Sequence, residues 1–311
     1  MRILFTGSSS FTGMWFVQEL LNRGHSLTLT LTKPLNSYTG IRKERIQRIK
    51  ERCVLLEECR FGDAQFLEHL SSQSFDLLCH HGAEVTQYKS PSFPVIDALR
   101  QNTYNLESVL EFFPRIILTG TVFEQNEGLN PSSAHAFSPY GLSKGLTYEL
   151  FRFFCHQKKI SLGKFVIPNP FGPYEEEKFT HYLMRTWSEG NVTEVKTPDY
   201  VRDNIHVSLL AKYYADFTES NSIVCCPRGY AETQAMFTKR LAKEVSSRTG
   251  WECQYKINTQ TTFTEPIERI NAGIVQREVF DWDEVIAWDH YVNYYCEKFE
   301  PLRIAREKQY V

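Results

Sequence analysis

Residues 6–13 read TGSSSFTG, and the way that stretch folds decides the architecture of the chain. A short apolar run, Ile3–Phe5, precedes it. MWFVQELLNR follows, with apolar positions at helical spacing, until Gly24 stops the run. Strand, small-residue turn and helix in that order form the setting in which a glycine pattern cradles a dinucleotide pyrophosphate. Gly7 and Gly13 permit a tight turn and close backbone approach, and the helix N-terminus offers N–H groups to phosphate oxygens. Ser10 stands where a middle glycine would complete G-x-x-G-x-x-G.

Beyond Gly24, SLTLTLT (26–32) predicts a second strand. An NAD-preferring fold ends this strand on an acid that bonds the ribose hydroxyls. Here the residues are Leu31, Thr32 and Lys33, and the basic stretch beyond offers Lys33, Arg42 or Lys43 to the 2′-phosphate of NADP, or else is a solvated helix face. A third strand is expected in CVLLEECRF, before Gly62 and an Asp63 able to bond an adenine. A fourth, DLLCHHGAEVT, ends at Gly82-Ala83, small enough to let a cofactor lie on the backbone. His80 and His81 are adjacent on that strand and face opposite sides, which disfavours a metal pair. Phe93 to Phe113 reads as one helix with Asn102 on its buried stripe, either a satisfied core amide or a site residue. RIILTGTVFE (115–124) gives a fifth strand, with Thr119 where it runs out, and LGKFVIPNPFGP a sixth, with Asn169 between two prolines. Strands alternating with helices argue for a parallel sheet covered on both sides.

A second informative stretch is SPYGLSKG, Ser138–Gly145, followed by an apolar helical stripe at Leu146, Leu150, Phe151 and Phe154. Tyr140 and Lys144 are one helical turn apart and share a face, so the ammonium can favour the ionised phenol. A tyrosine titrating near neutrality can exchange a proton with a substrate hydroxyl or carbonyl.

The remainder is less regular. Residues 200–217 suggest a short strand and a helix, and GYAETQAMFTKRLAKEVSSRTG a helix with a glycine stop. Trp282, Trp288, Tyr291 and Tyr295 fit core packing better than a stacking platform, and His181 an ordinary histidine better than a second acid/base. The chain has 311 residues, 42% hydrophobic and 23% charged, with a formal charge of -2, which suggests about two soluble domains and no nucleic-acid footprint. No apolar run is long enough to span a membrane, and MRILF is broken too soon for a signal peptide. Eight cysteines without C-x-x-C spacing read as free thiols in a reducing cytoplasm.

In order along the chain, TGSSSFTG, FGD, HHGAEV, the Asn102 helix, LTGTVFE, SPYGLSK, IPNPFGP, VRDNIHV and RIN…FDWDE resemble the extended short-chain dehydrogenase/reductase family, in its nucleotide-sugar epimerase, dehydratase and ketoreductase branch. The resemblance implies an α/β fold, a doubly wound parallel sheet of Rossmann type with a smaller mixed α/β C-terminal substrate domain. Residues 1–168 would form the dinucleotide domain with 199–222 returning to it, and 169–198 and 223–311 the substrate domain. Tyr140 would be the acid/base, Lys144 its pKa-lowering and ribose-binding partner, and Thr119 the hydroxyl on the reacting oxygen, with Thr121 its rival. Gly7, Ser10, Phe11 and Gly13 would hold the pyrophosphate, Asp63 the adenine, and Thr32, Lys33, Gly82, Ala83 and Asn102 would complete the NAD(P) site, leaning to NADP. Glu84, Thr121, Asn169 and Arg202 would meet a nucleotide-diphosphate sugar, with Arg269 a looser candidate; an arginine fork suits two phosphate oxygens at once. The implied chemistry is hydride transfer at a sugar carbon, commonly C4, by an epimerase or a ketoreductase. Dehydratases of this branch follow the threonine with Asp-Glu; this chain has Gly120-Thr121, which disfavours a 4,6-dehydratase. A cytoplasmic homodimer through the helices of Asn102 and Tyr140 is also implied. The alternative is a catalytically silent NAD(P)-sensing or scaffold protein of the same fold; such a protein would be expected to lose the tyrosine or lysine, and both are present.

Overall fold

The structure, a computed structural model, describes residues 1–129, 134–273 and 280–307. The chain begins β1 (Arg2–Thr6), α1 (Phe11–Asn22), β2 (Ser26–Thr30), α2 (Gly40–Ile49), β3 (Val54–Leu56), α3 (Ala64–Ser72), β4 (Leu77–His80), α4 (Val95–Asn102), α5 (Leu106–Leu110), β5 (Arg115–Thr121), α6 (Pro139–Lys158) and β6 (Ser161–Ile167). It goes on as β7 (Asn169–Phe171), α7 (Phe179–Ser188), β8 (Thr193–Val195), β9 (Val201–His206), α8 (Val207–Glu219), β10 (Val224–Cys225), β11 (Tyr230–Thr233), α9 (Gln234–Thr249), β12 (Tyr255–Ile257), β13 (Glu268–Arg269) and α10 (Glu284–Glu307).

Two units divide the chain. The first holds 1–167, 211–227 and a short piece from Asn271; the second holds 168–210, 228–270 and the C-terminal remainder. The return to the first unit, expected over 199–222, is thus placed at 211–227. Strand β9 accounts for the difference, because its ladder partners β7, β11 and β13 all lie in the second unit.

In the first unit seven parallel strands run in the order β10-β6-β5-β4-β1-β2-β3. Strand order reverses between β1 and β4, and the carboxyl edge of such a switch point is where a doubly wound sheet leaves a crevice. Leu4, Leu78, Ile116 and Leu118 pack with Phe61, Phe66 and Phe151 on the α6 side. On the other side the Tyr214 ring stacks on Phe16 at 4.0 Å and meets Phe165 edge-on at 5.0 Å. Burial on both faces is why these strands read as unbroken apolar runs.

The helix expected from Phe93 to Phe113 is two, α4 and α5. Asn105 takes a left-handed conformation (φ 50°) between them and donates its side-chain amide to the Gly62 carbonyl at 2.8 Å. Strand β5 stops at Thr121, short of the expected 124, because Phe123 and Glu124 enter a turn closed by Glu124 N–H to the Thr121 carbonyl.

In the second unit β9 pairs antiparallel with β11 and parallel with β7 and β13. Its core joins Phe171, Leu183, Trp187, Phe237, Leu241, Trp288, Tyr291 and Tyr295. Three of the four C-terminal aromatics are therefore core, while Trp282 is half-buried and donates to Ser208 Oγ at 2.8 Å. His181 is also core, edge-on to Tyr295 and Phe299. All eight cysteines are free. Among the described residues no helix is long and apolar enough to cross a membrane, and no three His, Cys, Asp or Glu residues gather as metal ligands.

Gly7 has φ +79°, and a β-carbon there would lie 2.7 Å from the Gly82 nitrogen. Gly7→Ala is expected to cost about 1–3 kcal/mol through left-handed strain alone, and more from the clash. Urea unfolding of the two chains measures the loss.

Candidate active site

The glycine turn closes on itself. Ser10 caps α1, its hydroxyl accepting from Gly13 N–H at 3.1 Å and donating to the Gly7 carbonyl at 2.8 Å, so the serine supplies hydrogen bonds a middle glycine could not. A β-carbon on Gly13 would lie 2.3 Å from the Gly7 oxygen. The first amides of α1, at Phe11 and Thr12, have no intrahelical acceptor. The buried Ser8 hydroxyl finds no partner among the described residues. A side-chain-free cradle, helix-end donors and a spare buried hydroxyl fit the pyrophosphate of a dinucleotide.

Thr32 and Lys33 are exposed at the end of β2, as are Arg42 and Lys43 on α2. The basic group that reaches the turn is Arg45, which sequence reading passed over. It is buried, donates to the Ser9 carbonyl at 3.4 Å and lies 5.8 Å from the centre of the Phe11 ring. Its signal was position, since it lies on the buried side of α2 with Ile46 and Ile49. Asp63 caps α3, accepting from Phe66 N–H at 2.8 Å and Arg60 N–H at 2.9 Å, so its carboxylate holds a turn whatever else it meets.

The exit of β4 is fixed from both sides. Thr6 Oγ1 accepts from Gly82 N–H at 2.8 Å and lies 3.0 Å from His80 Nδ1. His80 Nε2 lies 3.1 Å from the Asn102 carbonyl, Asn102 Oδ1 accepts from Glu84 N–H at 2.9 Å, and Asn102 Nδ2 donates to Thr147 Oγ1 on α6. Asn102 thus ties the Gly82-Ala83-Glu84 segment to α6, while the Glu84 carboxylate accepts from Thr86 N–H. His81 points to the opposite face. Its Nε2 lies 3.0 Å from Ser10 Oγ and 3.1 Å from Thr12 Oγ1, and its Nδ1 lies 3.0 Å from Thr119 Oγ1.

Ser138 caps α6 through Gly141 N–H, Pro139 occupies its first turn, and Tyr140, Lys144 and Tyr148 follow one turn apart. Tyr140 packs edge-on to Tyr88, Phe93 and Phe123. Its hydroxyl bonds to no described residue, Thr119 included; Thr119 is held by His81 instead. The expectation of a lowered phenol pKa is not met. Burial pushes Tyr140 above its ordinary range, and the Glu124 carboxylate and Tyr88 push the same way. Burial brings Lys144 down to about 8, with Glu124 opposing and Lys164 adding to the fall.

Sequence reading missed Glu124 and Lys164. Both are almost wholly buried and pair at 2.7 Å, Lys164 also bonds Glu127, and its ammonium lies 4.1 Å from the centre of the Tyr148 ring. Glu124 Oε1 accepts from Thr121 N–H at 2.8 Å. A β-carbon on Gly120 would sit 2.8 Å from Lys164 Cε and 2.9 Å from Glu124 Oε1, so this charged group fills the space beside the glycine.

In the second unit Asn169 Nδ2 donates to Asn204 Oδ1 at 2.6 Å. Arg202 and Arg269 share one carboxylate, Glu265 Oε2, at 2.8 and 2.7 Å. Arg202 also donates to the carbonyls of Val201, Pro266 and Ile267 and lies over the Tyr200 ring.

The sequence profile of the NAD dependent epimerase/dehydratase family matches residues 3–221, and the chain belongs to that family. Its fold is similar to that of UDP-glucose 4-epimerase from Thermotoga maritima, solved with UDP-glucose (TM-score 0.73, 17% identity, 96% of this chain and 100% of that one). It is similar to UDP-glucuronic acid 4-epimerase from Bacillus cereus, solved with UDP-glucuronic acid and NAD (TM-score 0.70, 14% identity, 96% and 99%). It is also similar to dTDP-glucose 4,6-dehydratase from Bacillus anthracis, solved with NAD (TM-score 0.70, 17% identity, 96% and 98%). A comparison with curated protein sequences gives no match. At these identities the structural likeness speaks for the fold, and the family for an NAD-dependent enzyme.

The depressed Lys144 has a stability consequence of definite sign. Between about 8 and its ordinary 10.5 the unfolded chain holds a proton that the folded chain has released, so this group makes stability rise with pH across that window. Lys144→Met is expected to remove the rise. Urea unfolding of both chains at the two ends of the window reads the difference.

Proposed function

We infer that the protein is an NAD(P)-dependent enzyme acting on a nucleotide-diphosphate sugar, as a sugar 4-epimerase or 4-ketoreductase. The observation that carries this is the placement of Tyr140 and Lys144 one turn apart on α6, in the same unit as the glycine turn and the Thr119 end of β5. Bound there, the dinucleotide would supply the hydride acceptor and donor. The chain would do the rest. The Tyr140 phenol would pass a proton to or from the sugar oxygen, Lys144 would bond the cofactor ribose, and Thr119 would bond the reacting oxygen. Asn169, Arg202 and Arg269 would hold the diphosphate. A phenol kept protonated by burial and by Glu124 is set to give a proton, which is the reducing direction.

Two finer points belong to the same reading. A 4,6-dehydratase is disfavoured because Gly120-Thr121 stands where its acids would be, and the space beside Gly120 is filled by Lys164 and Glu124 in an ion pair. NADP is favoured over NAD because Leu31, Thr32 and Lys33 bring no carboxylate to the ribose. A homodimer through α4 and α6 would cover exposed Ile96, Leu142 and Phe153.

Tyr140→Phe is expected to lower turnover about 10²–10⁴-fold, the usual span of general acid–base catalysis. Dinucleotide affinity should stay within about twofold, since the ring and its packing remain. Turnover at the wild-type rate would remove the proton-transfer role. Calorimetric titration should give tighter binding of NADP than of NAD, and the reverse order would withdraw the cofactor preference.

A further inference from the structure

The imidazole of His81 spans the first unit's switch point. One edge faces the hydroxyls of Ser10 and Thr12 at the start of α1, the other faces the hydroxyl of Thr119 at the end of β5, and Phe5 and Phe16 pack on the ring. We propose that His81 is a positioning residue that fixes the Thr119 hydroxyl as a hydrogen-bond acceptor toward the reacting sugar oxygen, so that a proton for that oxygen comes from Tyr140 and not from Thr119. This rests on the reading in which Thr119 bonds that oxygen.

Ser10 Oγ and the Gly7 carbonyl oxygen are 2.8 Å apart, too close for two oxygens without a hydrogen between them, and a carbonyl has none to give. The serine proton is therefore committed to Gly7. Ser10 Oγ can face His81 Nε2 at 3.0 Å only as an acceptor, so Nε2 carries a hydrogen. The ring is neutral, because burial, then the charges of Lys144 and His80, bring His81 down to about 3. A neutral imidazole with its hydrogen on Nε2 has a bare Nδ1. At 3.0 Å from Thr119 Oγ1, that lone pair takes the threonine proton.

Thr119 then has no hydrogen left to give, and it shares its lone pairs with the buried Tyr214 phenol. It can accept from a sugar hydroxyl but cannot donate to a sugar carbonyl. The site thereby favours the alcohol form of its substrate at rest, and the proton that a carbonyl would receive comes from Tyr140 and not from Thr119. The same ring joins the pyrophosphate turn to the threonine, so displacement of the turn would be felt at Oγ1.

Two experiments test this on the full chain. Nitrogen-15 NMR of histidine-labelled protein, with the His81 signals assigned by their loss in His81→Phe, should show the hydrogen on Nε2 and a bare Nδ1. The opposite tautomer overturns the proposal without any substrate being needed. In kinetics, His81→Phe keeps a ring against Phe5 and Phe16 and removes the hydrogen bonds at both nitrogens. It is expected to lower kcat about 10- to 100-fold, with KM for the nucleotide sugar within about twofold. Adding Thr119→Val should then cost little more, since the two act as one unit. An unchanged kcat or fully additive losses overturn the proposal even if the tautomer is as stated. If the unaltered chain turns over no nucleotide sugar, the proposed activity has failed, and the opposite tautomer remains the separate mark of failure for His81.

Discussion

At the carboxyl edge of β1 and β4 two backbones touch with no side chain between them. Gly7 could carry a β-carbon only by driving it into the Gly82 amide, and a β-carbon on Gly82 would come within 3.0 Å of Thr6 Oγ1. Much of the site follows from that contact. It lets the chain turn from β1 into α1 directly above the strand that precedes the Asn102 segment. It brings Ser10 and His81 within hydrogen-bond reach, and it lets Thr6 hold the Gly82 amide from below. Bulk at either position would separate the turn from β4 and break these bonds together.

A second constraint is electrostatic. Lys144 and Lys164 carry their charges in the interior near one carboxylate, Glu124, which pairs with Lys164 and also favours the charged form of Lys144. Desolvation costs an isolated buried ion several kcal/mol, so such a group is tolerable only when each charge has a partner and the remaining lone pairs are satisfied. For the Glu124–Lys164 pair the Thr121 amide, Glu127 and the Tyr148 ring supply that. Burial, and after it this same carboxylate, pushes the Tyr140 phenol upward. A bare tyrosine–lysine pair, read from spacing alone, therefore gave the wrong sign for the phenol.

What was legible in the sequence was whatever has a period or a steric necessity. The first six strands of the sheet, the glycine turn, the α6 stripe and the core role of Trp288, Tyr291 and Tyr295 all fall in that class, whereas the two-residue β10 has no period to read. The break at Thr103–Asn105 was not legible, because it depends on Asn105 bonding a carbonyl 43 residues away. Glu124 was read only as the end of the fifth strand and Lys164 only as part of the sixth, since their pairing follows from the turn after Thr121 and the sheet register. His81 was weighed as a metal ligand alone, and its hydroxyl partners lie on α1 and β5. Arg45 could have been found from its place on the apolar side of α2.

The shared carboxylate of Glu265 gives the second unit a property of its own. Arg202 and Arg269 already hold an internal anion, tethered close by and present at a high effective concentration. An incoming ligand would gain only the difference between its own charge and that of the resident carboxylate. If these arginines hold a diphosphate, as proposed, a singly charged anion would lose to the tethered carboxylate, whereas a doubly charged group would displace it more readily.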